Sequence, residues 1–102
     1  GVFDLGIEIF DADDRGKGHG LWAVRAITDR LFRDHEASRV TGSTDPENVA
    51  MRRTFERAGF TLEGTMRGFM PVSVVPEYAR PGERYRDSVL YAITFDDWKG
   101  AR

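Results

Sequence analysis

Apolar and polar residues alternate over Phe3–Phe10 (FDLGIEIF), with Leu5, Ile7 and Ile9 on one side and Gly6, Glu8 and Phe10 on the other. A period of two residues is that of a strand with one apolar face. From Lys17 to about Arg33 the period lengthens. Val24, Ile27 and Leu31 fall at i, i+3 and i+7, Leu21 and Phe32 widen the stripe, and Arg25, Asp29, Arg30 and Arg33 take the other side. This spacing predicts an amphipathic helix that ends at Asp34-His35-Glu36.

Ser38–Ser43 (SRVTGS) reads as a short strand. In Asp45-Pro46-Glu47, Asp45 suits a helix cap, Pro46 the first helical position and Glu47 the positive end of the dipole. Met51, Phe55 and Ala58 form the apolar stripe of the short helix that follows, and Gly59 supplies its left-handed stop. Phe60–Met66 alternates as a strand. Gly68–Tyr85, with three prolines, reads as a long loop, and Arg86–Phe95 as a further strand. The tail DDWKGAR is expected to be loose apart from Trp98.

The order is β-α-β-α-β-β. It predicts an α/β (α+β) fold over residues 1–102 as a single domain, a mixed sheet flanked by two helices. The first β-α-β step predicts a parallel pair with a right-handed crossover, and the last two strands are expected to be antiparallel.

Composition narrows the functions. Hydrophobic residues make up 40% and charged residues 31%, the balance of a globular chain rather than a disordered one. The absence of cysteine excludes a disulfide framework, a zinc–thiolate site and a cysteine nucleophile, and it fits a cytoplasmic location. Two isolated histidines, His19 and His35, do not argue for a metal. A net charge of −2 disfavours nucleic acid as the main partner. No apolar run approaches the about 20 residues of a membrane span. The N-terminus lacks a signal-peptide pattern and starts directly in strand-like sequence, as though cut from something longer.

Candidate chemistry concentrates at Asp13–Gly20 (DDRGKGHG), between the first strand and the first helix. Unpaired amides in a helix's first turn attract phosphate, and glycine lets the backbone approach the oxygens. Arg15 and Lys17 add charge. A flexible turn before a helix is the plainer reading. The Walker spacing is absent, and the dinucleotide fingerprint fails because its third glycine position falls on Leu21. The spacing present is R-x-x-G-x-G, as Arg15-Gly16-Lys17-Gly18-His19-Gly20.

With this motif the chain resembles the GNAT acyltransferases, particularly the branch that acetylates ribosomal-protein N-termini and related amines. Asp45-Pro46-Glu47-Asn48-Val49-Ala50 followed by Phe55 and Gly59-Phe60 is similar to a second motif of that family, and Glu63-Gly64, Arg67 and Tyr85-Arg86-Asp87 with Leu90-Tyr91 to a third. The resemblance implies acetyl-CoA as cofactor and a primary amine, small molecule or protein N-terminus, as acceptor. It implies that Arg15, Gly16, Lys17, Gly18, His19, Gly20 and Leu21 hold the pyrophosphate and that Asn48 contacts the pantetheine arm. A backbone N–H in Glu8, Ile9 and Phe10 would polarise the thioester carbonyl. Glu8 is a candidate general base by the same resemblance, against its reading as a solvated or cross-strand-paired acid.

Other positions depart from the family. Tyrosine is common where Phe55 stands, and serine is common in this branch where Met51 stands. Neither residue here donates a proton, so either another group, such as Tyr85, Tyr78 or water, protonates the departing thiolate, or catalysis here is weak or absent. Phe55 reads first as a core residue and by resemblance also touches the pantetheine. After the glycines the branch commonly reads G-T-E-A, and this chain has Gly20-Leu21-Trp22-Ala23, with the large Trp22 able to change the dimer face or the loop's surroundings. Arg52 and Arg53 reach phosphate or form a solvated face.

The family domain has further strands and helices ahead of the strand that ends at Phe10, so the resemblance covers only its C-terminal half. That leaves strand 3–10 as an apolar edge, which predicts a homodimer or a complementing chain. Three functions follow: an acetyl-CoA-dependent N-acyltransferase or its cofactor-binding half, a non-catalytic CoA- or acyl-CoA-binding module, and an assembly piece acting through the exposed strand.

Overall fold

A computed structural model describes residues 1–5 and 19–101. The chain runs through β1 (Val2–Leu5), α1 (His19–Asp34), β2 (Arg39–Thr44), α2 (Val49–Arg57), β3 (Thr61–Pro71), β4 (Tyr85–Thr94) and α3 (Phe95–Ala101). The sheet order is β1-β2-β4-β3. β1 and β2 are parallel, with Leu5 beside Gly42, and β4 lies antiparallel to both its neighbours. The expected parallel step and antiparallel final pair are both present. β4 lies between β2 and β3 as a central strand. Residues 6–10 of the first predicted strand lie outside the described residues.

Strand alternation sets the core face. Val40, Gly42 and Thr44 of β2 pair with Ile93, Tyr91 and Val89 of β4. With Leu5 these face α1 and α2, and Val40, Tyr91 and Ile93 are almost entirely buried. From α1, Val24 and Phe32 enter this core, flanked by the half-buried Leu21, Ile27 and Leu31. Between Val24 and Phe32 sits Thr28, 1% exposed. Its polarity hides it from the apolar stripe, yet its i+4 spacing places it at the centre of the buried face. Its hydroxyl has no hydrogen-bond partner among the described residues.

α1 ends where Asp34-His35-Glu36 predicts. Glu36 adopts φ 52°, a left-handed conformation that glycine usually supplies at a helix end, and the Ala37 amide donates to the Leu31 carbonyl at 3.1 Å. Gly59 has φ 95° and terminates α2 as expected.

Four expectations are corrected. The Asp45-Pro46-Glu47 segment is a turn ahead of α2 rather than its first residues; the cap is Asn48, whose Oδ1 accepts from the Met51 amide at 3.1 Å. β3 does not stop at Met66. The ladder is irregular between Met66 and Met70, where Gly68 takes φ 59° and donates its amide to Asp87 Oδ1 at 2.9 Å, and pairing resumes through Pro71. The loop is consequently the shorter 72–84. The tail is helical rather than loose, so among the described residues three helices and not two flank the sheet. Thr94 and Asp97 bond reciprocally at 3.1 Å as a capping box, and Trp98 stacks on Phe32 at 5.2 Å while donating Nε1–H to Asp29 at 2.8 Å. Among the described residues no helix is long and apolar enough to cross a membrane.

Candidate functional site

Two parallel strands with a helix after each bring two helix starts to one end of the sheet. The C-terminal end of α1 is tied to the beginning of β1: Gly1 donates to the Glu36 carbonyl at 3.0 Å, and the Ser38 amide donates to the Gly1 carbonyl at 2.8 Å. α1 has 16 residues, a length of about 24 Å at 1.5 Å per residue. Running back along the sheet, it carries its first turn toward the carboxyl ends of β1 and β2. α2 begins just beyond the carboxyl end of β2. In open α/β sheets this end is where ligands bind.

Of the predicted site residues, Glu8, Ile9, Phe10, Arg15, Gly16, Lys17 and Gly18 lie outside the described residues. His19 opens α1. Among the described residues a Cβ on Gly20 would meet nothing within 4 Å. Leu21 turns into the core. The first turn of α1 contains no acidic residue. Its leading amides lack intrahelical acceptors by the geometry of any α-helix. The described part of the region therefore fits a bound anion such as the diphosphate of coenzyme A, the group the glycine motif suggests.

Asn48 stands at the start of α2, half-buried. Its carbonyl oxygen is used by the cap, and among the described residues its Nδ2 group has no partner. Phe55 is 1% exposed and lies in the core, stacked on Tyr91 at 5.3 Å and tilted against Phe60 at 5.3 Å. Met51 also packs against the core. Of the tyrosines, Tyr85 is 60% exposed and Tyr78 half-buried. Tyr91 is fully buried, donates to Glu56 at 2.9 Å and accepts from Arg52 Nε at 3.1 Å. Burial is the main influence that raises its hydroxyl's pKa. Arg52 is thus neither part of a solvated face nor free for phosphate: its Nη1 also donates to the Pro46 carbonyl at 3.1 Å. Arg53 is exposed, as is Trp22.

The polar centre of this end of the molecule is Arg86. Its Nε donates to Asp45 Oδ2 at 2.7 Å, its Nη2 to Asp45 Oδ1 at 3.2 Å and to Glu47, and its Nη1 to Glu83 at 2.8 Å. Arg86 and Asp45 are both buried. Burial pushes the Asp45 carboxyl up, but hydrogen bonds from Arg86 and the Glu47 amide more than offset this and leave it below the usual carboxylate range. The Asp45 hydrogen bond is likewise the first cause that raises the Arg86 pKa. The sequence offers each half of this pair only as part of a separate motif. Nothing in the spacing joins residues 41 apart.

The acetyltransferase (GNAT) domain family matches residues 2–68. The kanamycin resistance protein of Rhizobium radiobacter is 35% identical over 66 residues, which are 65% of this chain and 61% of that protein. The aminoglycoside acetyltransferase AAC(6')-Ib, in a structure with coenzyme A, is similar at 27% identity and a TM-score of 0.65, covering 90% of this chain and 44% of that one. The ribosomal-protein-S5-alanine acetyltransferase of Vibrio fischeri shares the fold, with 24% identity, a TM-score of 0.67 and coverage of 87% of this chain and 44% of that one. The chain therefore spans less than two thirds of each of these relatives. Since residues 2–68 match that domain and the strands and helices follow those of solved acetyltransferases, the chain belongs to the GNAT acetyltransferase family.

Proposed function

We propose that this chain binds coenzyme A and is the cofactor-holding part of an acetyl-CoA-dependent N-acyltransferase acting on a primary amine. The observation that carries the reading is the pair of helix starts at the carboxyl end of the parallel strands β1 and β2, one following the glycine motif and the other opening with Asn48. The similarity to an acetyltransferase solved with coenzyme A supports it. The cofactor, when bound, supplies an acetyl thioester. Arg15, Gly16, Lys17, Gly18, His19, Gly20 and Leu21 hold the diphosphate through backbone amides and two cationic side chains. Asn48 offers its Nδ2 group to the pantetheine arm, with Phe55 supporting that wall from within the core.

Glu8, Ile9 and Phe10 supply the strand amide that faces the thioester carbonyl, and Glu8 is the candidate base for the amine. Tyr85, exposed on β4, is the candidate proton donor to the thiolate. Relatives named for kanamycin resistance and aminoglycoside acetylation make polyamino sugars the first acceptors to test. A cytoplasmic location goes with this reading.

Association through β1 belongs to the same proposal. β1 is an outer strand of the described sheet, and Val2 on it is 68% exposed. A second copy or a complementing chain pairs along that edge. Sedimentation equilibrium at low micromolar concentration tests this; a folded, stable monomer contradicts it.

A second reading, a binding module without turnover, is favoured by Met51 and Phe55, which stand where the family resemblance leads one to expect serine and tyrosine and are instead turned into the core. Calorimetric titration with coenzyme A, paired with acetyl transfer to aminoglycosides and other amines, separates the readings. Binding with turnover supports the transferase, binding alone supports the module, and no binding overturns both.

A further inference from the structure

The turn between β2 and Asn48 is held at every residue. Asp45 receives two hydrogen bonds from Arg86, the Pro46 carbonyl receives one from Arg52, and the Glu47 carboxylate receives one each from Arg86 and Arg80. Within the turn, the Glu47 amide donates to Asp45 Oδ1 at 2.9 Å and the Asn48 amide to the Asp45 carbonyl at 2.9 Å. The position of Asn48 therefore depends on Asp45, and that of Asp45 on Arg86. The remaining arm of Arg86 reaches Glu83 in the 72–84 loop, and Glu83 in turn accepts the Arg80 amide at 2.7 Å.

A buried ion pair adds little net stability compared with an apolar replacement of similar volume, because two charges must leave water. A guanidinium, by contrast, offers five donors in a rigid plane, and it fixes carboxylates in direction as well as distance. Three carboxylates around one fork are thus a poor way to strengthen a fold and an effective way to fix a geometry. The geometry fixed here is the approach to Asn48.

We propose that Arg86 is the positioning residue for Asn48: it joins the Asp45–Glu47 turn to the 72–84 loop, so that the loop and the cofactor-facing asparagine move as one unit. This rests on the reading of Asn48 as a pantetheine contact, and it adds a consequence that reading lacks. Whatever displaces the loop, an acceptor or a partner chain, alters the grip on the cofactor through Glu83 and Arg86.

The test compares the wild-type chain with Arg86→Lys and Glu83→Gln. Arg86→Lys keeps the charge and loses the fork. Glu83→Gln touches only a partly exposed residue and leaves the buried pair in place, so the chain folds even if the lysine variant does not. Amide hydrogen exchange at Glu47, Asn48 and Met51 is expected to accelerate about tenfold or more in both variants, since each loses at least one charge-assisted hydrogen bond of the cluster, while α1 amides are unchanged. Affinity for coenzyme A by calorimetry is expected to fall by a similar factor, about tenfold. Unchanged exchange at those amides in a folded variant overturns the positioning role, whatever happens to binding. A wild-type chain that binds no coenzyme A removes the functional reading, and the exchange data still decide the coupling.

Discussion

Gly42 of β2 lies directly against the ring of Phe55 from α2: a Cβ at position 42 would sit 2.4 Å from both Cε1 and Cζ of that ring. Tyr91 stacks on this ring and Phe60 packs at its side, which confines it. The glycine is needed for space and not for backbone freedom. It lets α2 settle close to the sheet, and that closeness sets the height of Asn48 above the end of β2.

Gly42→Ala is accordingly expected to destabilise the chain by about 1–3 kcal/mol, the usual range for overpacking a core. The urea midpoint measures this. Phe55→Leu in the same chain should recover part of the loss, because neighbours that share a clash are not additive. A midpoint identical to wild type in Gly42→Ala would show that the ring is not confined as described.

Acid should weaken the fold through the Arg86 cluster. Asp45 and Glu83 both titrate below their ordinary values, Asp45 despite its burial and Glu83 chiefly through the Arg80 amide. A carboxylate with a depressed folded pKa contributes stability that is complete above its unfolded pKa and drains away as pH falls toward the folded one. Stability is therefore expected to hold above about pH 5 and to decline below about pH 4, the carboxylate range. Asp45→Asn should flatten that decline and lower the neutral-pH plateau by about 3–5 kcal/mol, the cost of breaking a buried pair. Denaturation midpoints from pH 3 to pH 7 check both; an unchanged acid limb in the variant contradicts the assignment.

Thr28 offers a change in the opposite direction. Its hydroxyl is buried without a partner among the described residues. Thr28→Val keeps the shape and removes the unsatisfied group, and is expected to raise stability by about 1–2 kcal/mol. A lower melting midpoint would mean that the hydroxyl is satisfied after all, for instance by a buried water.

Much of the fold is legible along the chain because local physics decides it. The stripe through Val24, Ile27 and Leu31, the left-handed stop at Gly59 and the short parallel strand after Glu36 each follow from residues within one or two turns of each other. What escapes is decided at a distance. Gly68 looks like the end of a strand until the Asp87 carboxylate, 19 residues on, satisfies its amide and the ladder continues. α3 carries a readable signal, the Thr94/Asp97 capping box, but seven residues hold no helix unaided, and the stacking of Trp98 on Phe32 is tertiary. The place of β4 between β2 and β3 is a matter of topology. For the candidate site, the family resemblance points to Asn48, whereas the bonds that Arg86 and Arg52 make to the turn before it emerge only when strand and turn are brought together.

The account turns on the start of α1 acting as a seat for a diphosphate. Its most direct test follows backbone amide resonances of the isotopically labelled chain during titration with coenzyme A and, separately, with pantetheine, which lacks the diphosphate. The expected result is large, saturable shifts at Gly16 through Leu21 with coenzyme A only, and shifts near Asn48 with both ligands. Saturable binding of coenzyme A that leaves the Gly16–Leu21 amides unmoved, or no binding at all, would contradict it.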